Sequence, residues 1–305
     1  MKILLATQKP FSPTAVTQMK EIAAKEGTEI ILLEKYAEQT DLVNAVNNVD
    51  ALIVRSDKVT AEVVNAANKL QIVVRAGAGY DNIDLNACTA KGIIVMNTPG
   101  QNSNAVAELT FGIMLYLARN SFLPGTGTEL KGKKLGIHAY GNVGKLVALI
   151  GKGFGMEVFA FDPFISDDVL EKDGVTSIKY VEELYSTCDV ISINIPAVKS
   201  TIKSINKELL GYLNENAIVV NTARKEVIEE TDLLEIMQQK QGIKYGADVK
   251  PDIHEQMLGF GKRYFATQQK IGAETAEANI NAAIAAINQI VDFFKTGNET
   301  FRVNK

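Results

Sequence analysis

Short apolar runs alternate with segments of helical periodicity from the first residue of the chain onwards. The first five runs predict strands at residues 2–6, 29–33, 51–55, 71–75 and 92–96. Helical patterns lie between them, for example over residues 15–26 and 61–67. Strands that alternate with helices in this way predict βαβ units and a parallel sheet.

A second series of strands follows a break in the pattern. Residues 97–100 read Asn-Thr-Pro-Gly, and Pro and Gly there indicate a hinge. The helix predicted next, over residues 105–119, is apolar on most faces, so we expect it to be buried between domains or between subunits. Further strands are predicted at residues 135–138, 157–161, 189–195, 217–221, 245–249 and 264–267.

The unit that opens this second series contains a glycine turn. Gly141 lets the backbone approach a pyrophosphate, and Gly144 lets the following helix pack close to the strand before it. Asp162 ends the next strand, where a carboxylate accepts both ribose hydroxyls and repels a 2′-phosphate. The pattern therefore predicts NAD rather than NADP. The first glycine of the usual fingerprint is replaced by Ala139, which is tolerable if its φ is negative.

These patterns together predict an α/β protein with two doubly wound parallel-sheet domains. We expect a Rossmann NAD-binding domain over residues 98–272, inserted into a flavodoxin-like substrate domain made of residues 1–97 and 273–305. The last predicted helix, residues 273–294, has a helical period that allows it to return and cover the first domain.

Composition and charge argue against several classes of protein. A formal net charge of −4 gives no attraction to nucleic acid or to an anionic membrane. No apolar stretch approaches the length of a membrane span, and the initial run is too short for a signal peptide. Cys88 and Cys188 lie far apart, which is typical of a reducing cytosol, and His138 and His254 cannot form a zinc site unaided. We therefore expect a cytoplasmic protein without a metal centre.

Ligands of open α/β sheets bind outside the carboxyl ends of the strands. In the first domain these ends carry Arg55 and Arg75, and Arg75 precedes the loop Gly77, Ala78, Gly79. Two guanidinium groups beside exposed backbone N–H groups suit a small anion with more than one negative group. The alternative is a pair of surface arginines at loop starts.

In the second domain the strand ends carry a different set: Asn194, Ile195, Pro196, Thr222, Ala223, Arg224 and Asp248. Arg224 can hold a carboxylate in a fork and polarise a neighbouring carbonyl, or form an interdomain salt bridge. Asp248 can accept a hydrogen bond from a nicotinamide amide, face Arg224, or cap a helix.

Four long runs identify a family: LIVRSDKVTAEVVNAANKLQIVVRAGAGYDNIDL, GIIVMNTPGQNSNAVAEL, GTELKGKKLGI and VVNTARKEVIEE. They resemble the D-isomer-specific 2-hydroxyacid dehydrogenases, and the resemblance covers nearly the whole chain. It implies NAD as the cofactor and a homodimer formed through the cofactor domain, with residues 105–119 as the interface helix.

The resemblance also implies site residues. Arg224 is implied as the catalytic arginine. Substrate contacts are predicted for Arg55, Arg75, Gly77, Ala78, Gly79 and Asn102. Cofactor contacts are predicted for Tyr140, Gly141, Asn142, Val143, Gly144, Asp162, Asn194, Ile195, Pro196, Thr222, Ala223, Asp248 and Gly272.

Three features depart from the family pattern. The family usually ends its second domain with Pro-His-Ile-Gly, in which His is the acid/base, whereas residues 268–272 here read Gln-Gln-Lys-Ile-Gly. Lys270 thus takes the place of the histidine, and the family's Glu-Pro after the Asp-Val strand has no clear counterpart. The loop over residues 119–132 is short, and no regulatory domain follows the last helix, so feedback inhibition by serine through such a domain is not expected.

The first two departures make physical sense together. An imidazole needs a carboxylate to fix its tautomer, whereas an amine has no tautomer to fix. A lysine can act as acid/base if its pKa falls from about 10.4 towards the working pH, and burial and Arg224 would both lower it. We therefore predict Lys270 as the acid/base. The alternatives are His254 as the base, a misplacement by one residue, or loss of catalysis. His138 is expected to be packed or near the cofactor.

The resemblance implies oxidation of 3-phosphoglycerate to 3-phosphohydroxypyruvate, the entry to serine synthesis. Arg55 and Arg75 favour a phosphorylated hydroxy acid over one without a phosphate. One alternative is a reductase of glyoxylate, hydroxypyruvate or another 2-keto acid. The other is a non-catalytic NAD-sensing scaffold on the same fold.

Overall fold

The computed structural model describes all 305 residues, and the chain divides into two compact units. Unit 1 comprises Met1–Asn102 and Glu274–Lys305, and unit 2 comprises Ser103–Ala273. Residues 98–102 stay with unit 1, where the amide of Thr98 donates to the carbonyl of Gly77 at 3.0 Å. The first crossover therefore follows Asn102 and not residue 97.

Unit 1 contains five parallel strands: β1 (Lys2–Thr7), β2 (Glu29–Glu34), β3 (Ala51–Val54), β4 (Ile72–Arg75) and β5 (Ile94–Asn97). Their order is β2-β1-β3-β4-β5, which is the flavodoxin-like order. Ile3 and Leu5 belong to one hydrophobic cluster, and Leu4 and Ala6 to another. Successive residues of a strand face opposite sides, so the sheet is covered on both faces.

The covering helices of unit 1 come from both ends of the chain. They are α1 (Pro13–Lys25), α2 (Gln39–Ala45), α3 (Ala61–Ala66), α4 (Leu85–Ala90) and the last helix of the chain (Ala276–Thr296). The C-terminal tail covers the edge strand β5, because Val303 donates to Val95 and the side chain of Asn304 accepts from it, both at 2.8 Å. An edge strand covered in this way cannot pair with another chain.

Unit 2 contains seven parallel strands: β6 (Lys134–His138), β7 (Glu157–Phe161), β8 (Thr176–Ser177), β9 (Val190–Ile193), β10 (Ile218–Asn221), β11 (Lys244–Ala247) and β12 (Tyr264–Ala266). Their order is β12-β11-β10-β9-β6-β7-β8. Counted from β6, this is the doubly wound order 3-2-1-4-5-6 with one more strand. The predicted fold class is therefore confirmed for both sheets.

The helices of unit 2 are α5 (Ser103–Ala118), α6 (Asn142–Gly153), α7 (Asp167–Lys172), α8 (Val181–Thr187), α9 (Lys207–Gly211), α10 (Glu230–Gln239) and α11 (His254–Met257), and the last helix of unit 1 becomes α12. Helix α5 buries Phe111, Met114 and Leu117 in the core of unit 2 itself. Contacts within unit 2 therefore bury much of the apolar surface that the sequence led us to expect at an interface. No helix of the structure combines the length and the hydropathy needed to cross a membrane.

Candidate functional site

The turn between β6 and α6 leaves open space at the start of a helix. Gly141 caps α6, and no side chain bonds the amides of the first turn, which lack partners within an α-helix. A Cβ on Gly141 would meet no atom within 4 Å, whereas a Cβ on Gly144 would lie 2.3 Å from the carbonyl oxygen of Ala139. Free amides, a positive helix end and room in front of them fit the pyrophosphate of a dinucleotide.

Ala139 corrects one expectation about this turn. Its φ is 80°, in the left-handed region, and not negative as the sequence argument required. For a residue with a Cβ this conformation costs roughly 1–2 kcal/mol. The turn keeps it because the amide of Ala139 donates to Phe161 at 2.9 Å while its carbonyl lies against Gly144.

Asp162 lies directly after β7 and holds the same turn. Its Oδ2 accepts from the amide of Tyr140 at 2.8 Å, and its Oδ1 accepts from the amide of Phe164 at 2.9 Å. Each carboxylate oxygen has two lone pairs, so each keeps one for a further donor. The carboxylate is thus fixed in place with capacity left, and contact with the ribose hydroxyls stays a prediction.

Tyr140 is a structural residue in this fold. Its ring is buried, and its hydroxyl donates to Asp173 at 3.1 Å. Burial and that carboxylate raise the pKa of the phenol. Since the amide of Tyr140 is bonded to Asp162, both of its donors have protein partners, and its contact with the cofactor stays a prediction. Asn142 and Val143 follow in the first turn of α6.

The segment after β9 holds three of the predicted cofactor residues. Ile195 is buried and Pro196 is exposed. The side-chain amide of half-buried Asn194 donates to the carbonyl and hydroxyl of Ser192, both at 3.2 Å. Only Pro196 therefore presents an open surface in this segment.

Thr222, after β10, is tied to helix α5. Its hydroxyl lies 2.9 Å from that of Thr110, which itself donates to the carbonyl of Val106 at 2.8 Å. Thr222 must therefore be the donor between the two hydroxyls. This buried bond fixes the start of the loop that carries Ala223 and Arg224.

Three exposed apolar side chains were missed by the sequence reasoning. Phe164 is 92% exposed, and Val198 and Ile202 are also open to solvent. Phe164 follows β7, and the other two follow β9, so they lie after the two strands that flank β6 in the sheet. An apolar side chain in a loop just past such a strand is the signal that would have found them, since ligands bind at this edge.

Lys270 and Arg224 meet at one backbone carbonyl. The ammonium of Lys270 donates to the carbonyl oxygen of Ala223 at 2.7 Å, and Nη1 of Arg224 donates to the same oxygen at 3.0 Å. The loop after β10 and the loop after β12 are thereby joined, although they are far apart in sequence. Two positive charges that share one acceptor repel each other.

These surroundings lower the pKa of Lys270 to about 8. Desolvation is the larger cause and the charge of Arg224 the second, while Asp248 and Glu226 oppose both. Residues 268–271 are exposed, so water still reaches this stretch of chain and the desolvation is partial. An amine with this pKa exchanges its proton near neutral pH, as a general acid/base must.

Asp248 holds the segment that carries Lys270. The carboxylate belongs to a residue that is 2% exposed. Its Oδ1 accepts from the hydroxyl of Thr267 at 3.0 Å and the amide of Ile271 at 2.9 Å, and its Oδ2 accepts from the amide of Gly272 at 2.7 Å. Asp248 therefore holds this loop and caps no helix, while its contacts with a nicotinamide amide and with Arg224 stay predictions.

In unit 1, Arg55 and Arg75 are held by protein groups. The side chain of Arg55 is only 17% exposed and lies 4.0 Å from the carboxylate of Glu274. Its guanidinium also donates to the carbonyl of Lys9 at 3.2 Å and to Asn279. Nε of Arg75 donates to the carbonyl of Arg55 at 3.0 Å. Both arginines are partly buried, and binding of an anion by them stays a prediction.

Gly77 makes room for the guanidinium of Arg75. Its φ is 146°, and a Cβ there would lie 1.4 Å from Nη1 of Arg75. The loop is anchored at Ala78, whose carbonyl accepts from the side chain of Asn97 at 2.6 Å. Asn102, half-buried, is the last residue of this part of unit 1. Gly77 therefore sets where Arg75 can lie.

Replacing Gly77 with alanine is expected to weaken binding of an anionic substrate about tenfold to a hundredfold, because Arg75 must leave its position. The measurement is the KM for the substrate. Gly92→Ala is the matched control, since Gly92 also has positive φ (70°) but a Cβ there meets no atom within 4 Å. An equal rise of KM in the two variants would mean that backbone strain, and not the displaced guanidinium, weakens substrate binding.

The two histidines are occupied elsewhere. His138 is buried, as expected, with Nδ1 3.2 Å from the hydroxyl of Tyr185. Desolvation lowers the pKa of His138 to about 4. Nδ1 of His254 lies 2.8 Å from the hydroxyl of Tyr264. The imidazole of His254 is therefore hydrogen-bonded to Tyr264 within unit 2.

His138 is expected to make the fold sensitive to acid. The pKa of His138 is about 4 in the folded protein and 6.5 ordinarily. Between these pH values the imidazole is protonated in the unfolded chain and neutral in the folded protein. Stability is therefore lost as pH falls from 6.5 towards 4, by on the order of 3 kcal/mol in full. Urea unfolding of His138→Phe at pH 7 and pH 4.5 should show a smaller loss than wild type. Equal losses would contradict this account.

A family model described as D-isomer specific 2-hydroxyacid dehydrogenase, catalytic domain, matches residues 4–304. The chain is 36% identical to D-3-phosphoglycerate dehydrogenase of Sus scrofa over 293 residues, which cover 90% of this chain and 54% of that protein. It thus spans about half the length of such relatives.

Two further proteins are similar over nearly their full length. Hydroxypyruvate reductase of Thermotoga maritima is 34% identical over 293 residues, which cover 87% of this chain and 94% of that protein. The solved structure of NAD⁺-bound 3-phosphoglycerate dehydrogenase of Entamoeba histolytica superposes with a TM-score of 0.88 at 46% identity, covering 100% of this chain and 99% of that one.

Proposed function

This chain belongs to the D-isomer-specific 2-hydroxyacid dehydrogenase family, and we propose that it oxidises 3-phosphoglycerate to 3-phosphohydroxypyruvate, the entry to serine biosynthesis, with NAD⁺ as the oxidant. The observation that carries the proposal is the shared carbonyl of Ala223, which brings the amine of Lys270 and the guanidinium of Arg224 together in the dinucleotide-binding unit. A general base and a carboxylate fork are the two protein groups that this oxidation needs.

In this proposal each residue has one task. Lys270, as the neutral amine, takes the proton from the hydroxyl of the substrate. Arg224 holds the carboxylate and polarises the carbonyl as it forms. Arg55 and Arg75 bind the remaining anionic groups. NAD⁺, when bound, accepts the hydride. In the reverse direction Lys270, as the ammonium, returns the proton.

The residues of unit 2 fit NAD at several points. The free amides at the start of α6 suit the pyrophosphate, and the remaining lone pairs of Asp162 suit the ribose hydroxyls. The exposed side chains of Phe164, Val198 and Ile202 follow the two strands beside β6, and they are apolar groups suited to contact with the adenine ring. The likeness to the NAD⁺-bound protein of Entamoeba histolytica supports the same choice.

The second candidate is a reductase of hydroxypyruvate or a related 2-keto acid. One observation favours it: the hydroxypyruvate reductase of Thermotoga maritima is matched over 94% of its own length. The two candidates differ in whether the substrate carries a phosphate. The half-buried Arg55 and Arg75 favour the phosphorylated substrate, because two fixed guanidinium groups suit more than one negative group.

A panel of substrates tests the proposal. NAD⁺ reduction is followed with 3-phosphoglycerate, glycerate and lactate, and NADH oxidation with hydroxypyruvate and glyoxylate. We expect kcat/KM for 3-phosphoglycerate to exceed that for glycerate by at least about tenfold, the effect of one lost charged hydrogen bond. Equal values would favour the second candidate. Binding of NADH without turnover of any substrate would favour the NAD-sensing scaffold.

We also propose a homodimer formed through unit 2. The family resemblance implies it, and exposed apolar side chains of that unit, Phe122, Leu123 and Leu149, support it. Sedimentation at micromolar concentration distinguishes a dimer from a monomer.

A further inference from the structure

We infer that Asp248 is a positioning residue for Lys270: its carboxylate fixes the segment 267–272 and thereby the direction of the amine. The inference rests on the proposed function, because it concerns the residue assigned there as acid/base. It differs from the contact with the cofactor that the sequence suggested for Asp248.

The carboxylate binds the segment on both sides of Lys270. Thr267 lies before the lysine, and Ile271 and Gly272 lie after it, and all three donate to Asp248 at 2.7–3.0 Å. A Cβ on Gly272 would come within 2.6 Å of Oδ2, so the backbone approaches the carboxylate as closely as glycine allows. Lys270 thus lies within a segment that the carboxylate fixes on both sides of it.

Only the first residue of the segment is bonded to the sheet, through the amide of Thr267, which donates to the carbonyl of Ala247 at 3.0 Å. Strand β12 ends at Ala266, and residues 268–271 are exposed. A loop of this kind is mobile unless side chains hold it. A proton acceptor must be placed to within about 1 Å to act on a bound substrate, so the three bonds have a direct bearing on turnover.

The three donors also satisfy a buried carboxylate. No cationic side chain lies within 4.0 Å ion-pair distance of Asp248, although the residue is buried. Hydrogen bonds from the protein replace those that a buried carboxylate loses with water. Oδ1 has both lone pairs occupied and Oδ2 has one free, so the segment takes most of the accepting capacity.

Thr267→Val tests the positioning role with the carboxylate intact. It removes one hydrogen bond to Asp248 and leaves the free lone pair of Oδ2 untouched. We expect kcat for the oxidation to fall about threefold to tenfold, at the low end for residues that orient a reacting group. The KM for NAD⁺ and the midpoint of the pH profile should not move. Thr267→Ser keeps the hydroxyl and should restore kcat.

Asp248→Asn and Asp248→Glu separate position from charge. Asparagine sets an N–H group against a backbone donor and removes the charge, so kcat should fall about tenfold to a hundredfold. The pH at which the oxidation rate rises should also be lower, because Asp248 raises the pKa of Lys270. Glutamate keeps the charge and displaces it, so kcat should fall while the midpoint stays.

NADH binding, followed by fluorescence, shows that each variant is folded. A normal kcat in Thr267→Val, together with an Asp248→Asn variant that is weakened only in NAD⁺ affinity, would overturn the inference and make Asp248 a cofactor contact. Absence of turnover with 3-phosphoglycerate in the wild-type protein would instead overturn the proposed function. The two failures are therefore distinguishable.

Discussion

Replacing Lys270 with alanine is expected to lower kcat for the oxidation by about a hundredfold to ten-thousandfold, the usual contribution of a positioned acid/base. The variant loses the amine that takes the hydroxyl proton, while the turn before α6 and Asp162 are unchanged. NADH affinity should therefore stay near the wild-type value. Steady-state turnover and NADH fluorescence measure the two quantities separately.

The wild-type pH profile follows from the same amine. The pKa of Lys270 lies near 8, so the base is protonated and inactive below that pH and neutral above it. Oxidation should rise through an apparent pKa near 8, and reduction should fall through the same region. Lys262→Ala, an exposed lysine of the same unit, is the control and should keep both profiles. A flat profile from pH 7 to 10, or full turnover in Lys270→Ala, would remove Lys270 from the mechanism.

Replacing Arg224 with glutamine is expected to lower kcat/KM by about a hundredfold to a thousandfold, because a donor aimed at the forming carbonyl and the carboxylate is lost. A second effect identifies the residue. The charge of Arg224 lowers the pKa of Lys270. Removal of that charge should therefore shift the rise of the oxidation rate to higher pH. Rates measured over the full pH range give both results.

Arg224→Lys is the matched variant for this test. It keeps the positive charge and loses the planar fork, so kcat/KM should fall while the midpoint stays near the wild-type value. An unmoved midpoint in Arg224→Gln would mean that the guanidinium does not act on Lys270, whatever the loss of rate.

The absence of a glutamate partner is consistent with an amine as the base. No carboxylate lies within ion-pair distance of the Lys270 ammonium, and its hydrogen-bond partner is the carbonyl of Ala223. A carboxylate in direct contact would hold the proton and raise the pKa of the amine. A backbone carbonyl orients the amine without placing a full negative charge beside it.

Local patterns along the chain were sufficient for the fold class. Alternating apolar runs predicted eleven of the strands within a few residues, and the glycine turn with Asp162 was placed where the structure has it. These features depend on neighbours in sequence: side-chain period, backbone freedom at glycine, and the residue that ends a strand. The two-residue strand β8 was missed because so short an element has no period to read.

Contacts between distant loops lay beyond those patterns. Nothing near Tyr140 in sequence indicates that its hydroxyl is bonded to Asp173, and the positive φ of Ala139 depends on the approach of Gly144. The convergence of Lys270 and Arg224 on Ala223, and the grip of Asp248 on the lysine segment, require the order β12-β11-β10 of the sheet. Which strand ends become neighbours is a property of the assembled sheet. The strand order places the amine of Lys270 beside Arg224, and that neighbour lowers the pKa of the amine.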